Sequence, residues 1–282
     1  MASAGTRRSL DPLVVAVEEL RAGRPVVVVD DEDRENEGDL VMAAQFATAR
    51  TMGFFVRFTS GLICVPMAGE IADRLRLPLM VEPAPGTDPA GTTASTVSVD
   101  AVGTGSGISA ADRAATARTP ADASARPGQL VRPGHMFPLR ARPGGVAERR
   151  GRTEATVDLL LLAGLAPVGV LGEVCEDDGS LARFERLRAF ADEHRPALVS
   201  IEQLSRHLRA AGMPVLAVPR DRRELPADIV HLPLDRAPDA ARALPLLTRL
   251  LTRRPGPAVP GRAVGTAGAH RPRRPSGVSR PR

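Results

Sequence analysis

A dense run of polar residues fills positions 30–39, which read Asp-Asp-Glu-Asp-Arg-Glu-Asn-Glu-Gly-Asp. Carboxylate oxygens are the ligands that Mg²⁺ and similar cations prefer, and neighbouring carboxylates can shift one another's pKa toward acid/base work. A solvated acidic loop would have the same composition. The run directly follows the apolar residues 25–29, and α/β proteins bind ligands at the ends of their strands. We therefore interpret it as a candidate metal or acid/base site.

Short apolar runs alternate with helical stretches up to about residue 211, after a first helix that is expected to begin at Asp11-Pro12 and end at Gly23. Strands are predicted at 25–29, 40–44, 62–67, 96–99, 167–174 and 197–201. Helices are predicted at 48–56, 68–76, 109–118, 153–164, 181–193 and 202–211. Two segments rich in Gly and Pro, 83–95 and 120–148, are predicted to be loops. This alternation is typical of a layered α/β domain.

Composition excludes several kinds of chemistry. All 38 basic residues are Arg, so neither a lysine Schiff base nor a phosphate loop ending in Lys can form. Cys64 and Cys175 are the only cysteines, which rules out a disulfide framework and a four-thiolate zinc site. Trp and Tyr are absent, so the aromatic surfaces that stack nucleic-acid bases are nearly missing. A nucleic-acid partner is therefore not expected.

The two ends of the chain differ from its middle. Residues 253–282 carry eight Arg and no acidic residue, so the net charge of +5 belongs to this tail and the rest is mildly acidic. We predict disorder for 1–9 and for this basic tail, and structure of uncertain kind for 212–252, with a strand at 213–218 and a helix at 240–251. No apolar run is long enough for a membrane span, and the first residues lack the apolar stretch of a secretory signal. A cytoplasmic location is expected.

The acidic run and six further blocks resemble the 3,4-dihydroxy-2-butanone 4-phosphate synthase family of riboflavin biosynthesis, in the family's order and spacing across about residues 10–210. The further blocks are Ser-Gly-Leu-Ile-Cys (60–64), Leu-Pro-Leu-Met-Val (77–81), Gly-Ile-Ser-Ala-Ala-Asp-Arg (107–113), Arg-Pro-Gly-His-Met-Phe-Pro-Leu-Arg (132–140), Thr-Glu-Ala-Thr-Val-Asp-Leu (153–159) and Gly-Glu-Val-Cys-Glu-Asp-Asp-Gly-Ser-Leu-Ala-Arg (172–183). The resemblance implies a three-layer α/β sandwich over 10–211. It also implies a homodimer with composite sites near the interface.

Family members convert ribulose 5-phosphate to 3,4-dihydroxy-2-butanone 4-phosphate and formate with Mg²⁺ or Mn²⁺. Such a reaction needs an anion site for the phosphate, a cation near the enediolate oxygens and groups that transfer protons. The resemblance assigns one role to each of seven residues. His135 and Glu173 would be catalytic, Arg34, Asp39, Arg149 and Thr153 would bind substrate, and Glu35 would be a metal ligand.

The chain departs from the family at the site itself. Where the family has Arg-Gly-Gly-His-Thr-Glu-Ala, residues 149–155 read Arg-Arg-Gly-Arg-Thr-Glu-Ala. The family's metal-ligand His is thus Arg152, a permanent cation that cannot ligate a metal. We expect Arg152 to pair with Glu35 and to weaken the binding of Mg²⁺ and Mn²⁺. A family His is also replaced by Phe58, and the segment 82–87 lacks the usual Asn-Asn-Thr.

Three functions are compatible with these changes. The chain could be a working synthase in which Arg152 partly replaces the charge of the metal. It could be a diverged enzyme for a related sugar phosphate, because Arg149, Arg150 and Arg152 still offer an anion site. It could also be a catalytically silent subunit that keeps the fold, binds a sugar phosphate or supports a partner.

Overall fold

Eight α-helices and seven strands make up the part of the chain that the computed structural model describes, residues 10–30, 36–82 and 92–211. The helices are α1 (Leu13–Arg21), α2 (Ala49–Phe58), α3 (Gly69–Arg74), α4 (Ala110–Ala121), α5 (Gly145–Glu148), α6 (Arg152–Leu162), α7 (Phe184–His194) and α8 (Ile201–Ala210). The strands are β1 (Val26–Val29), β2 (Gly38–Ala43), β3 (Cys64–Met67), β4 (Val99–Ala101), β5 (Leu130–Arg140), β6 (Gly169–Glu173) and β7 (Leu198–Ser200).

The strands form one seven-stranded mixed sheet in the order β4-β5-β3-β6-β2-β1-β7. Two neighbouring pairs, β1 with β7 and β3 with β5, are parallel, and the other pairs are antiparallel. The strands β1, β2 and β6 are mostly apolar, which is typical of strands covered on both faces; the exceptions are Asp39 in β2 and Glu173 at the end of β6.

Both faces of the sheet are covered by helices. Successive side chains of a strand point to opposite faces, so Val27 and Val29 join one apolar core while Val26 and Val28 join the other. The first core receives side chains from α2, α3, α4 and α7, and the second receives them from α1, α5, α6 and α8. This helix–sheet–helix arrangement confirms the predicted three-layer α/β sandwich.

The prediction of a loop over 120–148 is wrong, because the eleven-residue strand β5 lies within it. The strand contains Pro133, Gly134 and Pro138, which normally weaken or end strands. It tolerates them because its pairing with β4 is interrupted by a bulge. Val131 faces Asp100 and Met136 faces the adjacent Val99, so residues 132–135 of β5 are inserted between two neighbouring residues of β4. Gly134 packs so closely on the backbone of Val99 that a Cβ atom there would lie 2.0 Å from the Val99 carbonyl carbon.

Several other expectations can be placed on the structure. The predicted strand at 96–99 is displaced, because β4 covers Val99–Ala101 and shares only Val99 with it, and the helix predicted at 109–118 is observed as α4, which the hydroxyl of Ser109 caps. Among the described residues, no helix is both long and apolar enough to cross a membrane. The predictions for 1–9, 213–218, 240–251 and 253–282 fall outside the described residues.

Candidate active site

A cavity of about 510 Å³ opens where β1, β2 and β6 meet the first turn of α6. Its lining joins carboxylates and arginines with a few small polar and apolar side chains. The lining residues are Asp30, Glu37, Asp39, Leu62, Cys64, Thr93, Ser95, Leu139, Arg149, Gly151, Arg152, Thr153, Leu171 and Glu173. Of the seven residues assigned from sequence, Asp39, Arg149, Thr153 and Glu173 therefore share one cavity.

The register of the sheet brings the carboxylates together. Asp39 lies directly opposite Glu173 in the antiparallel pair of β2 and β6. Asp30 follows the end of β1, and its carboxylate accepts a hydrogen bond of 2.9 Å from the backbone N–H of Glu37. Arg34 and Glu35 lie outside the described residues, so their assigned roles remain predictions.

Arg152 occupies the centre of these carboxylates. Its Nε lies 2.5 Å from Asp39 Oδ2, and its Nη1 lies 3.2 Å from Asp30 Oδ2. Its Nη2 is 3.3 Å from both Glu37 Oε2 and Glu173 Oε1. One guanidinium thus contacts four carboxylates that come from different positions in the sequence.

Asp39 is the most unusual acid of the cavity. Burial, with the neighbouring carboxylates of Glu173 and Glu37, raises the pKa of Asp39 to about 7, although the Arg152 guanidinium opposes the shift. Both Asp39 oxygens are enclosed by protein, and the approach of Arg152 Nε to Oδ2 is an ion pair rather than a well-directed hydrogen bond. The raised pKa of Asp39 suits proton exchange near neutral pH.

A second part of the cavity lining, Arg149 with the first turn of α6, suits an anion and is called the anion end. The first backbone N–H groups of α6 have no partner within the helix, and the helix dipole favours negative charge beside Thr153. Arg149 lies at the same end, braced by Glu154 at 2.6 Å and by the Thr93 hydroxyl at 2.9 Å. A phosphate group is an anion of suitable charge and size for this end.

His135 is not among the residues that line the cavity. It belongs to the four extra residues of β5, and its Nδ1 lies 2.7 Å from Asp100 Oδ2. Asp100 also accepts a hydrogen bond of 2.9 Å from the His135 backbone N–H, and the His135 side chain is 47% exposed. The structure holds the imidazole firmly, but it does not bring His135 to Glu173 within one chain.

Sequence reasoning does not single out Asp30, Glu37, Glu154 or Cys64. Asp30 and Glu37 belong to the acidic run, where nothing distinguishes them from their neighbours. Glu154 belongs to the Thr-Glu-Ala block, and the burial that makes its charge notable is seen only in the structure. Cys64 lines the cavity, but burial raises its thiol pKa to about 12, so it stays protonated at neutral pH.

Phe58, the replacement for a family His, lies in an aromatic cluster outside the cavity lining. Its ring centroid is 4.6 Å from that of His194 and 4.7 Å from that of Phe54, and Phe190 completes the group. Phe58 therefore contributes packing between α2 and α7.

The fold is a three-layer α/β sandwich whose cavity combines arginines and the start of α6 with a cluster of carboxylates. Residues 15–207 match the sequence model of the family described as 3,4-dihydroxy-2-butanone 4-phosphate synthase. The chain belongs to this family.

Two relatives from the curated proteins illustrate the similarity. The monofunctional riboflavin biosynthesis protein RIBA 2, chloroplastic, of Arabidopsis thaliana is 55% identical over 195 residues, 69% of this chain and 41% of the relative. The riboflavin biosynthesis protein RibBA of Nocardia farcinica is 55% identical over 197 residues, 69% of this chain and 47% of the relative. The chain thus spans less than half the length of these two relatives.

Two solved structures are also similar to this chain. The crystal structure of 3,4-dihydroxy-2-butanone 4-phosphate synthase of Candida albicans has a TM-score of 0.65 and 44% identity, covering 71% of this chain and 98% of that one. A 3,4-dihydroxy-2-butanone 4-phosphate synthase in complex with two magnesium ions has a TM-score of 0.68 and 42% identity, covering 71% and 97%.

The described residues do not fit a divalent cation. Within 10–30, 36–82 and 92–211, no group of three His, Cys, Asp or Glu side chains is arranged to hold a metal ion. Arg152 instead lies between the carboxylates that could otherwise converge on one. The predicted partner of Arg152, Glu35, lies outside the described residues, whereas Asp30, Glu37, Asp39 and Glu173 are observed partners.

Proposed function

We propose that this chain converts D-ribulose 5-phosphate to 3,4-dihydroxy-2-butanone 4-phosphate and formate in riboflavin biosynthesis. The observation that carries the proposal is that Asp39, Arg149, Thr153 and Glu173, matched one by one to the family's blocks, line the same cavity. The lining combines Arg149 and the first turn of α6 with carboxylates, which suits a substrate that carries a phosphate and several hydroxyl groups.

Each end has a distinct task in this proposal. Arg149 and the first turn of α6 hold the phosphate and so fix the position of the carbon chain. Asp39 accepts a hydrogen bond from a substrate hydroxyl, and its raised pKa suits proton exchange near neutral pH. Glu173, at the more open side of the cluster, moves protons during enediol formation and loss of water. Arg34 keeps its assignment to substrate as part of the proposal, whereas no step of it depends on Glu35 as a metal ligand.

The test is an assay of formate release from ribulose 5-phosphate by the purified chain, with Mg²⁺, with Mn²⁺ and with a chelator. Formate together with the four-carbon phosphate would support the proposal, and Arg149→Met should raise the Michaelis constant because the phosphate contact is lost. Ribulose without its phosphate is the matched control substrate. Binding of ribulose 5-phosphate without any formate would favour the second candidate, a catalytically impaired sugar-phosphate-binding or partner subunit, for which Arg152 is the specific observation.

A homodimer with composite sites and a cytoplasmic location belong to the same proposal. His135 pairs with Asp100, and the exposed Val131 faces Asp100 across the pair of β4 and β5; Val102, which follows β4, and Ile108, which precedes α4, are also exposed. Exposed apolar side chains on these segments suit contact with a second copy. In such a dimer, His135 of one copy would reach the cavity of the other.

Subunit complementation tests this arrangement. The variants His135→Ala and Glu173→Gln should each lose activity, whereas dimers reassembled from an equal mixture should recover about a quarter of native activity, because half of the dimers are mixed and each mixed dimer has one intact site. Activity of the mixture is measured against each variant alone. If His135 acts within its own chain, the mixture stays inactive, and a monomeric mass in solution would also exclude composite sites.

A further inference from the structure

We propose that the Arg152 guanidinium is a built-in cation that takes the place of a divalent metal, so that this chain binds its anionic ligand with no metal ion among Asp30, Glu37, Asp39 and Glu173. The proposal uses the proposed function only for the identity of the ligand. Its basis is the position of the guanidinium among these four side chains.

The geometry uses all three nitrogens of the guanidinium. Nε approaches Asp39 on β2, Nη1 approaches Asp30 at the end of β1, and Nη2 lies between Glu37 and Glu173. The side chain is largely buried, and its backbone belongs to the first turn of α6. Burial and four contacts fix one orientation, as coordination would fix a metal ion.

The permanent positive charge of Arg152 makes it difficult for a divalent cation to take its place. An arginine keeps its proton at every physiological pH, so its positive charge is permanent. A divalent cation entering between Asp39 and Glu173 would have to displace the guanidinium from its partners. That displacement would leave a buried cation unpaired, which is strongly unfavourable. Metal and Arg152 therefore compete for the same oxygens.

The contacts of the guanidinium with the described carboxylates differ in length. Nη2 lies 3.3 Å from Glu37 and from Glu173, whereas Nε lies 2.5 Å from Asp39. Glu173 is 37% exposed, whereas Asp30 and Asp39 are buried. The long contact with Glu173 thus lies at the more open side of the cluster, where a ligand oxygen that carries negative charge competes with Glu173 for Nη2.

The experiment is Mn²⁺ titration followed by electron paramagnetic resonance, on the native chain and on Arg152→His. We expect Arg152→His to bind Mn²⁺ at least about tenfold more tightly than the native chain, because it removes the competing charge and adds a nitrogen ligand. Arg150→His is the matched control: it adds the same side chain two residues away, on a surface arginine paired with Glu202, and should bind Mn²⁺ as the native chain does.

Two further variants separate the effect of the positive charge from the effect of the added nitrogen ligand. Arg152→Gln removes the charge without adding a ligand and should also tighten Mn²⁺ binding, whereas Arg152→Lys keeps the charge and should bind Mn²⁺ as weakly as the native chain. Circular dichroism verifies that each variant is folded. Native binding of Mn²⁺ as tight as that of both Arg152→His and Arg152→Gln would overturn the proposal.

Ligand binding provides an independent readout. In calorimetry, the affinity of the native chain for ribulose 5-phosphate should change less than about twofold between chelator and Mg²⁺, since no metal takes part. A rise of tenfold or more with Mg²⁺ would contradict the built-in cation. Failure to release formate would remove the proposed function but would leave the Mn²⁺ result intact, so the two failures can be distinguished.

Discussion

Glu173→Gln is expected to lower the rate of formate release by about 10²- to 10⁴-fold, the range typical of losing a positioned proton-transfer group. The amide keeps the size of the carboxylate but cannot take up a proton. Glu173 is the most exposed of the four carboxylates around Arg152, and its contact with Nη2 is long, at 3.3 Å. The free energy of unfolding should therefore change by less than about 1 kcal/mol. Formate release and urea unfolding, measured on the same preparation, give the two quantities.

The matched control for this prediction is Glu176→Gln. Glu176 lies three residues further along the chain, pairs with Arg186 on the surface and does not line the cavity. Its replacement should leave formate release unchanged. If Glu176→Gln slows the reaction as much as Glu173→Gln does, proton transfer by Glu173 cannot be the cause. A loss of several kcal/mol in the stability of Glu173→Gln would instead indicate a structural role.

The acidic run at 30–39 shows how far sequence reasoning reaches into such a site. Its position after an apolar strand predicts a site there, and its described members Asp30, Glu37 and Asp39 line the cavity. The sequence does not show which of its carboxylates contact one another or line the cavity. Asp39 faces Glu173 only because of the register between β2 and β6, which depends on pairing across more than 130 positions of the chain.

The prediction of a loop where strand β5 lies failed for a different reason. Pro133, Gly134 and Pro138 each oppose regular strand structure locally, and the interruption of the ladder that accommodates them is a tertiary feature. The same interruption decides the position of His135. A resemblance could assign this imidazole to catalysis, but only the structure places it with Asp100, away from the cavity of its own chain.

Arg152 shows both what the sequence can predict about the site and what depends on the fold. Its identity alone indicated a changed metal site, because a guanidinium cannot ligate a cation. Its partners required the fold: Asp30 and Glu173 are 122 and 21 positions away along the chain. The guanidinium at this one position therefore contacts carboxylates from the acidic run and from the block at 172–183.

Glu154→Gln is expected to destabilise the native state by about 3 kcal/mol, because breaking a buried ion pair leaves the other charge without its partner. Glu154 lies in the first turn of α6, and the exposed fractions of the Arg149 and Glu154 side chains are only 10% and 2%. The second oxygen of Glu154 accepts a hydrogen bond of 3.1 Å from the backbone of Arg142, so one carboxylate joins two segments. Urea unfolding of the variant measures the loss. Binding of ribulose 5-phosphate should weaken with it, because Glu154 orients Arg149 toward the anion end of the cavity.

Glu202→Gln is the control that separates burial from charge. It breaks the neighbouring pair between Arg150 and Glu202, in which the two side chains are 37% and 39% exposed, and such exposed pairs are worth less than about 1 kcal/mol. Combining Glu154→Gln with Arg149→Met completes a double-mutant cycle that isolates the energy of the buried pair from other effects of each change. Equal losses for Glu154→Gln and Glu202→Gln, or a coupling energy near zero in the cycle, would mean that Glu154 is not what holds Arg149 in place. A large coupling energy with unchanged ligand affinity would show that the pair stabilises the fold without orienting Arg149 for the phosphate.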